Sequence, residues 1–435
     1  MSAVRKRKVF LVAIRLVSPL NLSSGEDEWT DADVLRDFEG NPFIPGSSVA
    51  GAMRAYIEKE KDCPCLMGYA KHGNQDDQGK MSSLFISDVV FDSDVPSGIR
   101  DGVALDENKR SVDGSKYDME ILEAGAEGHF YLELVVRDGD NEEQMQSELE
   151  TVFAGIQTGE IRLGSKKTRG FGKVEITSLK SEEFDKNNYD SYADAYKKDT
   201  WTKSKELVED IPHYAEKGNK MIHLSVPLRI KGGISIRQYA AKKNEPDFAQ
   251  LTDHDWVPVI PGSSFAGAVR HRIKQILNQL HRDETKIQTE EIMNMSFGCV
   301  NDEKSWSSNI IFSEAEIEGA KPLTMTRTGI SRFESAAKEG ALYREKTYVD
   351  GKVTLEVLIR KEKIDSDTQC MLGLMLIALK DLQNGFLPVG GQTAIGRGVF
   401  SSDGPIIMDG SEIDDEKCAG YIGCALKGLP EMEGK

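Results

Sequence analysis

FIPGSSVAGAMR occupies residues 43–54, and VIPGSSFAGAVR occupies residues 259–270. Ile, Pro, Gly, Ser, Ser, Ala, Gly, Ala and Arg recur in the same order. A helix start alone does not require this, because a Ser cap ahead of an apolar run needs only one residue. Outward from these stretches, TDADVLRDFEGNPFIPGSS (30–48) lies over PDFAQLTDHDWVPVIPGSS (246–264). Asp31 falls on Asp247, Leu35 on Leu251, Asp37 on Asp253 and Pro42 on Pro258. SLFISDVVF (83–91) matches NIIFSEAEI (309–317), and Gly114, Tyr117 and Gly125 correspond to Gly340, Tyr343 and Gly351. LGSKKTRGFGKV (163–174) matches VGGQTAIGRGVF (389–400). Matching segments in one order at a nearly constant offset mean that a whole domain is duplicated in tandem.

Length and composition agree. A chain of 435 residues exceeds the size at which one hydrophobic core stops growing. Hydrophobic residues make up 39% and charged residues 29%, as in a soluble globular protein. The basic, then apolar N-terminus alternates Val9, Leu11 and Ala13 against Phe10, Val12 and Ile14, which reads as a first strand and not a signal peptide. No apolar run of about 18 residues is present, so no membrane partner is expected. Six cysteines make no disulfide framework, and a reducing cytoplasm is the expected location. A net charge of −17 argues against indiscriminate nucleic-acid binding but leaves room for local basic grooves at 5–8, 166–169, 229–243 and 270–274.

Each copy reads as α+β. A strand opens it, followed by a polar stretch, the PGSS turn and an amphipathic helix; in the second copy Phe265, Val269, Ile273 and Leu277 share one helix face. Further strands, a second helix, a glycine loop and a last strand complete the unit, an order that suggests a ferredoxin-like (RRM-like) arrangement. The expected domains are 1–180, a charged connector at 181–220, and 221–435 with a C-terminal extension.

The acid-bearing loop, IPGSSxxGxxR, the strand ending in Ser-Asp or Ser-Glu and the late glycine loop together resemble the RAMP superfamily of CRISPR effector subunits. The likeness is greatest to the backbone (Cas-seven-type) subunits of type III systems, and it covers both halves. It implies two ferredoxin-like palms with thumb insertions, here at 102–125 and 329–351, with Met325 and Phe333 as apolar contacts in the second. It implies CRISPR guide RNA, target RNA and other type III subunits as partners. In cleaving members one loop Asp cuts the target, which here falls on Asp31 and Asp247. Such a carboxylate would hold Mg²⁺ or Mn²⁺ with RNA phosphates completing the shell. The other reading is a binding module that caps or extends the filament without cutting.

Several residues are candidates for RNA contact. Ser47, Ser48, Ser263 and Ser264 begin helices whose N-termini suit phosphate, and Arg54 and Arg270 lie two turns further on. Gly170, Gly172, Gly396 and Gly398 let a backbone approach phosphate, and Lys166, Lys167, Arg169 and Arg397 add charge. The plain alternatives are a capped, closely packed helix and a tight turn before an edge strand. Cys63, Cys65 and His72 offer an incomplete zinc set, and Cys299 in the matching region favours a small apolar role. No His pair recurs between the copies.

Overall fold

A computed structural model describes residues 3–428 except 24–29, 59–65, 70–78, 93–94, 107–109, 198–200, 203, 216–218, 239–245, 281–285, 301–304 and 363–364. The chain divides into two compact units. One comprises Met1–Ile99, Tyr117–Lys167 and Phe171–Asn219; the other comprises Arg100–Lys116, Thr168–Gly170 and Lys220–Lys435. The stretch after residue 180, read from the sequence as a connector, therefore belongs to the first unit.

In the first unit β1 (Val4–Leu16) is followed by α1 (Gly46–Glu58), β2 (Leu84–Ile86), β3 (Glu127–Arg137), α2 (Glu142–Gln157) and β4 (Val174–Phe184). The sheet order is β2-β3-β1-β4, with every neighbour antiparallel; Val12 stands opposite Phe130 on one side and Leu179 on the other. Phe10, Val12, Ile14 and Leu16 point to the helices and meet Val49, Met53, Val152, Phe153 and Ile156 in one core. The side chain of Asn141 accepts the Gln144 N–H at 3.2 Å and caps α2, whose first turn carries Glu142 and Glu143 against the helix dipole.

The opposite sheet face is also covered. Val9, Phe184, Ala195 and Trp201 form a separate cluster with Leu11, Tyr131 and Tyr192 packed on it. Trp201 is 1% exposed, and its indole N–H donates to the Ala195 carbonyl at 2.9 Å. Beside it, buried Glu133 pairs with Arg7 and accepts from the hydroxyls of Tyr192 and Tyr196. Burial in this patch, together with the hydrogen bond to Glu133, raises the Tyr196 phenol. Both faces of β1 are thus apolar because both are packed.

The second unit repeats the plan. It runs β5 (Met221–Lys231), α3 (Gly262–Leu280), β6 (Ile310–Phe312), β7 (Lys352–Arg360), α4 (Asp365–Gln383) and β8 (Val399–Ser402). The order is β6-β7-β5-β8, again antiparallel throughout, with Val226 opposite Leu355 and Ile230 opposite Phe400. Phe265, Val269, Ile273 and Leu277 are all buried against this sheet, as their spacing predicts. The C-terminal helix Asp415–Gly428 lies against α4, where an added Cβ on Gly373 would stand 2.5 Å from Ala425 Cβ.

Between β2 and β3, Ser97–Gly102 and Tyr117–Leu122 form a two-stranded ribbon. Between β6 and β7, Lys321–Arg327 pairs antiparallel with Tyr343–Val349, and Phe333 in the intervening turn is fully exposed. Met325, opposite Glu345 in the ribbon strand, is half-buried and not displayed as Phe333 is.

Candidate functional site

The acid loop of the first unit is fixed by the ribbon strand that follows it in space. Asp118 donates its N–H to the Asp31 carboxylate at 3.0 Å, and Asp31 donates its own N–H to the Asp118 carboxylate at 3.2 Å. Ala32 and Tyr117 pack on Met119, Ile121 and Phe171, so the acid loop, the ribbon and the glycine loop share one small apolar cluster. The Lys166 ammonium lies 4.5 Å from the Tyr117 ring centroid. Asp31 itself is exposed.

The second unit builds the same attachment. Arg344 donates its N–H to the Asp247 carboxylate at 2.7 Å. Tyr117 and Tyr343 are counterparts in the duplication, so in both units the loop Asp is held by the residue that follows that tyrosine. Phe248 meets Tyr343 edge-on at 5.9 Å, and the Arg237 guanidinium sits 4.0 Å from the Phe248 ring centroid. Asp247 is exposed as well.

The neighbouring acids have a structural use. Asp33 accepts the Thr30 hydroxyl at 2.5 Å. The side chains of Asp37 and Asp253 accept the N–H groups of Asn41 and Val257, each at 2.8 Å and four residues on, and close the same short loop.

The residues expected at the RNA divide into presented and enclosed groups. Helices α1 and α3 begin at Gly46 and Gly262, so Ser47, Ser48, Ser263 and Ser264 stand inside the first turn and not at the cap. The side chain of Asp88 takes the Gly46 N–H at 2.7 Å, which places a carboxylate at the N-terminus of α1. Both glycines are demanded by close packing: an added Cβ would lie 2.4 Å from Ile86 O at Gly46 and 2.2 Å from Phe312 O at Gly262. Ser47 and Ser263 are exposed, and Ser48 and Ser264 half-buried. The Arg54 guanidinium donates to the Met67 carbonyl at 3.2 Å, whereas Arg270 is exposed, 5.9 Å from the Phe297 ring centroid.

In the glycine loops the last glycine serves the fold. Gly172 N–H donates to Pro19 O at 2.8 Å, and Gly398 N–H donates to Gly233 O at 2.8 Å. Their carbonyls accept from Leu163 and Val389, each at 2.9 Å. These N–H groups are occupied and do not face phosphate, contrary to the reading of a backbone cradle. Arg397 is also enclosed: it is 9% exposed, with one guanidinium nitrogen 3.8 Å from the Met325 sulfur. Gly170 is buried, while Lys167, Arg169 and Gly396 are exposed and Lys166 half-buried.

A divalent ion fits the two loops unequally. Asp31 and Asp118 each accept the other's backbone N–H, which keeps two carboxylate-bearing residues side by side, and a hard cation there would draw the rest of its shell from phosphate and water. At Asp247 the corresponding position is Arg344, whose backbone N–H holds the carboxylate, so that position adds no second carboxylate among the described residues. Among the described residues, no three His, Cys, Asp or Glu side chains gather as a metal-binding group. Cys63, Cys65 and His72 lie outside the described residues; Cys299 is half-buried and free.

Comparison with known proteins follows the same division. The family described as "RAMPs: RAMP superfamily" matches residues 13–175 and again residues 223–401. The CRISPR system Cms endoribonuclease Csm3 of Streptococcus thermophilus is 27% identical over 194 residues, a stretch that covers 40% of this chain and 88% of that protein. One such relative therefore has about the length of one repeat. Among the described residues no helix is long and apolar enough to cross a membrane.

Proposed function

Because the chain belongs to the RAMP superfamily and carries its module twice, we propose that it is an RNA-binding subunit of a type III CRISPR effector. Guide RNA runs along both units, and Asp31 and Asp247 cut the paired target RNA. The observation that carries the reading is the equivalent hold on these two exposed carboxylates by the residues after Tyr117 and Tyr343. A merely solvated loop acid needs no such hold, and none would recur across the duplication. The name of the Streptococcus relative, an endoribonuclease of a CRISPR system, supports the same chemistry.

On this reading each unit is a ferredoxin-like palm, and the two ribbons are the thumbs that wedge into the guide–target duplex, the second with Phe333 at its tip. Lys166, Lys167, Arg169 and Arg270 meet the RNA backbone, with Ser47, Ser48, Ser263, Ser264 and Gly396 beside them. Arg54, Gly170, Gly172, Arg397 and Gly398 act behind that surface by holding its backbone. At the first site Asp31 and Asp118 would hold Mg²⁺ or Mn²⁺, which supplies charge neutralisation at the scissile phosphate. The chain's own share is to fix that carboxylate pair and to seat the RNA against it. Other type III subunits complete the assembly, and the cytoplasm is its place.

The test is expression of the full chain beside a repeat array. Copurifying guide RNA, lost progressively as salt rises and little dependent on guide sequence, is the expected result. Protein that purifies free of RNA, with a flat salt response to added guide, would overturn it. Charge reversal of Lys166, Lys167 and Arg169 is expected to weaken all guides alike.

A further inference from the structure

The short loop ahead of each PGSS helix displays an aromatic ring. In the first unit its tip is Asp37, Phe38, Glu39, Gly40 and Asn41; in the second it is Asp253, His254, Asp255, Trp256 and Val257. Both tips are closed alike. The Asp37 N–H donates to the Asn41 carbonyl at 2.9 Å, and the Asp253 N–H to the Val257 carbonyl at 3.0 Å. The carboxylate of the same Asp takes the N–H returning from Asn41 or Val257, at 2.8 Å in each. On these fixed tips Phe38 is 96% exposed and Trp256 68% exposed, and neither belongs to its unit's apolar core. Trp256 also has φ +64°, at the position where the first unit has Gly40 at φ +87°. A left-handed backbone disfavours an L-residue, and no burial of the indole offsets that here.

A ring held out on a closed loop loses little freedom when it is covered, which suits it as an anchor for a partner. The charge beside it selects the kind of partner. Glu39 flanks Phe38 and Asp255 flanks Trp256, and both acids are exposed. The basic groups at hand are engaged: the Arg36 guanidinium by Glu120 at 2.5 Å, and the His254 ring by Asp255 at 3.3 Å. Single-stranded RNA stacks on aromatic rings where a positive groove carries its backbone, and these tips offer the opposite sign. We propose that Phe38 and Trp256 are anchors for neighbouring protein subunits, each entering an apolar pocket rimmed by lysine or arginine. This rests on the reading of the chain as one subunit of an effector. It assigns the loop tips to protein, while RNA runs elsewhere on each unit. The opposite charges across such a contact also steer the encounter and fix its register.

The test coexpresses the full chain with the other subunits of its effector and a repeat array. Hydroxyl-radical footprinting, read by mass spectrometry, compares the assembled effector with the chain carrying guide and target RNA alone. Oxidation of Phe38 and Trp256 is expected to fall at least fivefold in the effector and to stay high with RNA alone. The Phe38→Ala/Trp256→Ala variant should keep its guide RNA and an unfolding midpoint no lower, yet bind the adjoining subunits at least tenfold more weakly. Glu39→Lys/Asp255→Lys, which reverses the flanking charge and keeps both rings, should weaken the same binding. Protection by RNA alone would make the rings a stacking platform and overturn the inference. Protection in the concentrated chain by itself would make the occupant a second copy, which overturns it as well. So does unchanged oxidation in the assembled effector. A chain that carries guide RNA but no other protein refutes the inference and leaves the RNA reading standing. Subunits held through the rings by a chain free of RNA would support the inference and refute the RNA reading.

Discussion

Replacing Gly172 by Ala separates a structural glycine from a phosphate-binding one. Gly172 has φ +75°, and a Cβ built there would stand 1.8 Å from Leu163 O. The left-handed backbone alone costs an L-residue about 1–2 kcal/mol. Relief of the overlap requires a shift of more than about 1 Å before ordinary contact is restored. That shift breaks the hydrogen bonds from Leu163 N–H to Gly172 O and from Gly172 N–H to Pro19 O, now 2.9 and 2.8 Å. Each is worth about 1 kcal/mol, more if a buried group is left without a partner. The total loss is roughly 3–5 kcal/mol. Gly398→Ala should behave alike, since its Cβ would lie 1.8 Å from Val389 O at φ +68°. Gly396, with φ +83° and nothing within 4 Å of a built Cβ, is the control. Gly396→Ala should lose only the backbone cost, about 1–2 kcal/mol. Urea unfolding of the three variants, followed by circular dichroism, measures the difference. If Gly172→Ala and Gly398→Ala are as mild as Gly396→Ala, the close approach is not what these glycines serve.

Three further outcomes are expected. Trp201→Ala should cost roughly 3–5 kcal/mol in thermal unfolding, because it empties the cover over β1; a loss below about 1 kcal/mol would mean that the cover is not packed. Burial alone would raise the Glu206 carboxyl, but hydrogen bonds from the Ser178 hydroxyl and the Leu179 N–H, both 2.6 Å, with those from Val208 and Leu207, hold it below the usual range. Its stabilisation is therefore complete above the unfolded value of about 4.3 and lost as pH falls through the lower folded value, so Glu206→Gln should flatten the acid limb of the stability profile; an unchanged limb would refute this. Trp256, 68% exposed, has φ +64° in the turn where the first unit places Gly40, so Trp256→Gly should be neutral or stabilising by up to about 1 kcal/mol in urea unfolding; a clear loss would show that the indole contributes packing.

The duplication made much of this legible. Two copies of PGSS located both first helices, and the register of Asp31 with Asp247 singled out two acids that share one mode of attachment. Spacing also identified the buried face of α3. What escaped depends on residues distant in sequence. The Gly46 N–H is taken by Asp88, just past the end of β2, so the serines looked like caps. The Gly172 N–H is taken by Pro19, so the glycine loop looked like a cradle. A signal for the covered sheet was present: Val9 and Leu11 are apolar on the face opposite Phe10 and Val12, which asks for packing on both sides. The exchange of Asp118 for Arg344 was likewise visible beside the aligned tyrosines, but its place against the loop aspartate needed the fold.

The most direct measurement is a cleavage map of a guide-paired target RNA on a denaturing gel in Mg²⁺, for the wild type, Asp31→Asn, Asp247→Asn and the double variant. Two cuts a fixed interval apart are predicted for the wild type. Each single variant should lose one cut and keep the other, and the double variant should hold guide and target without cutting either. Cuts that persist unchanged in the double variant, or that vanish together when one aspartate is replaced, would contradict the assignment of one independent site to each repeat.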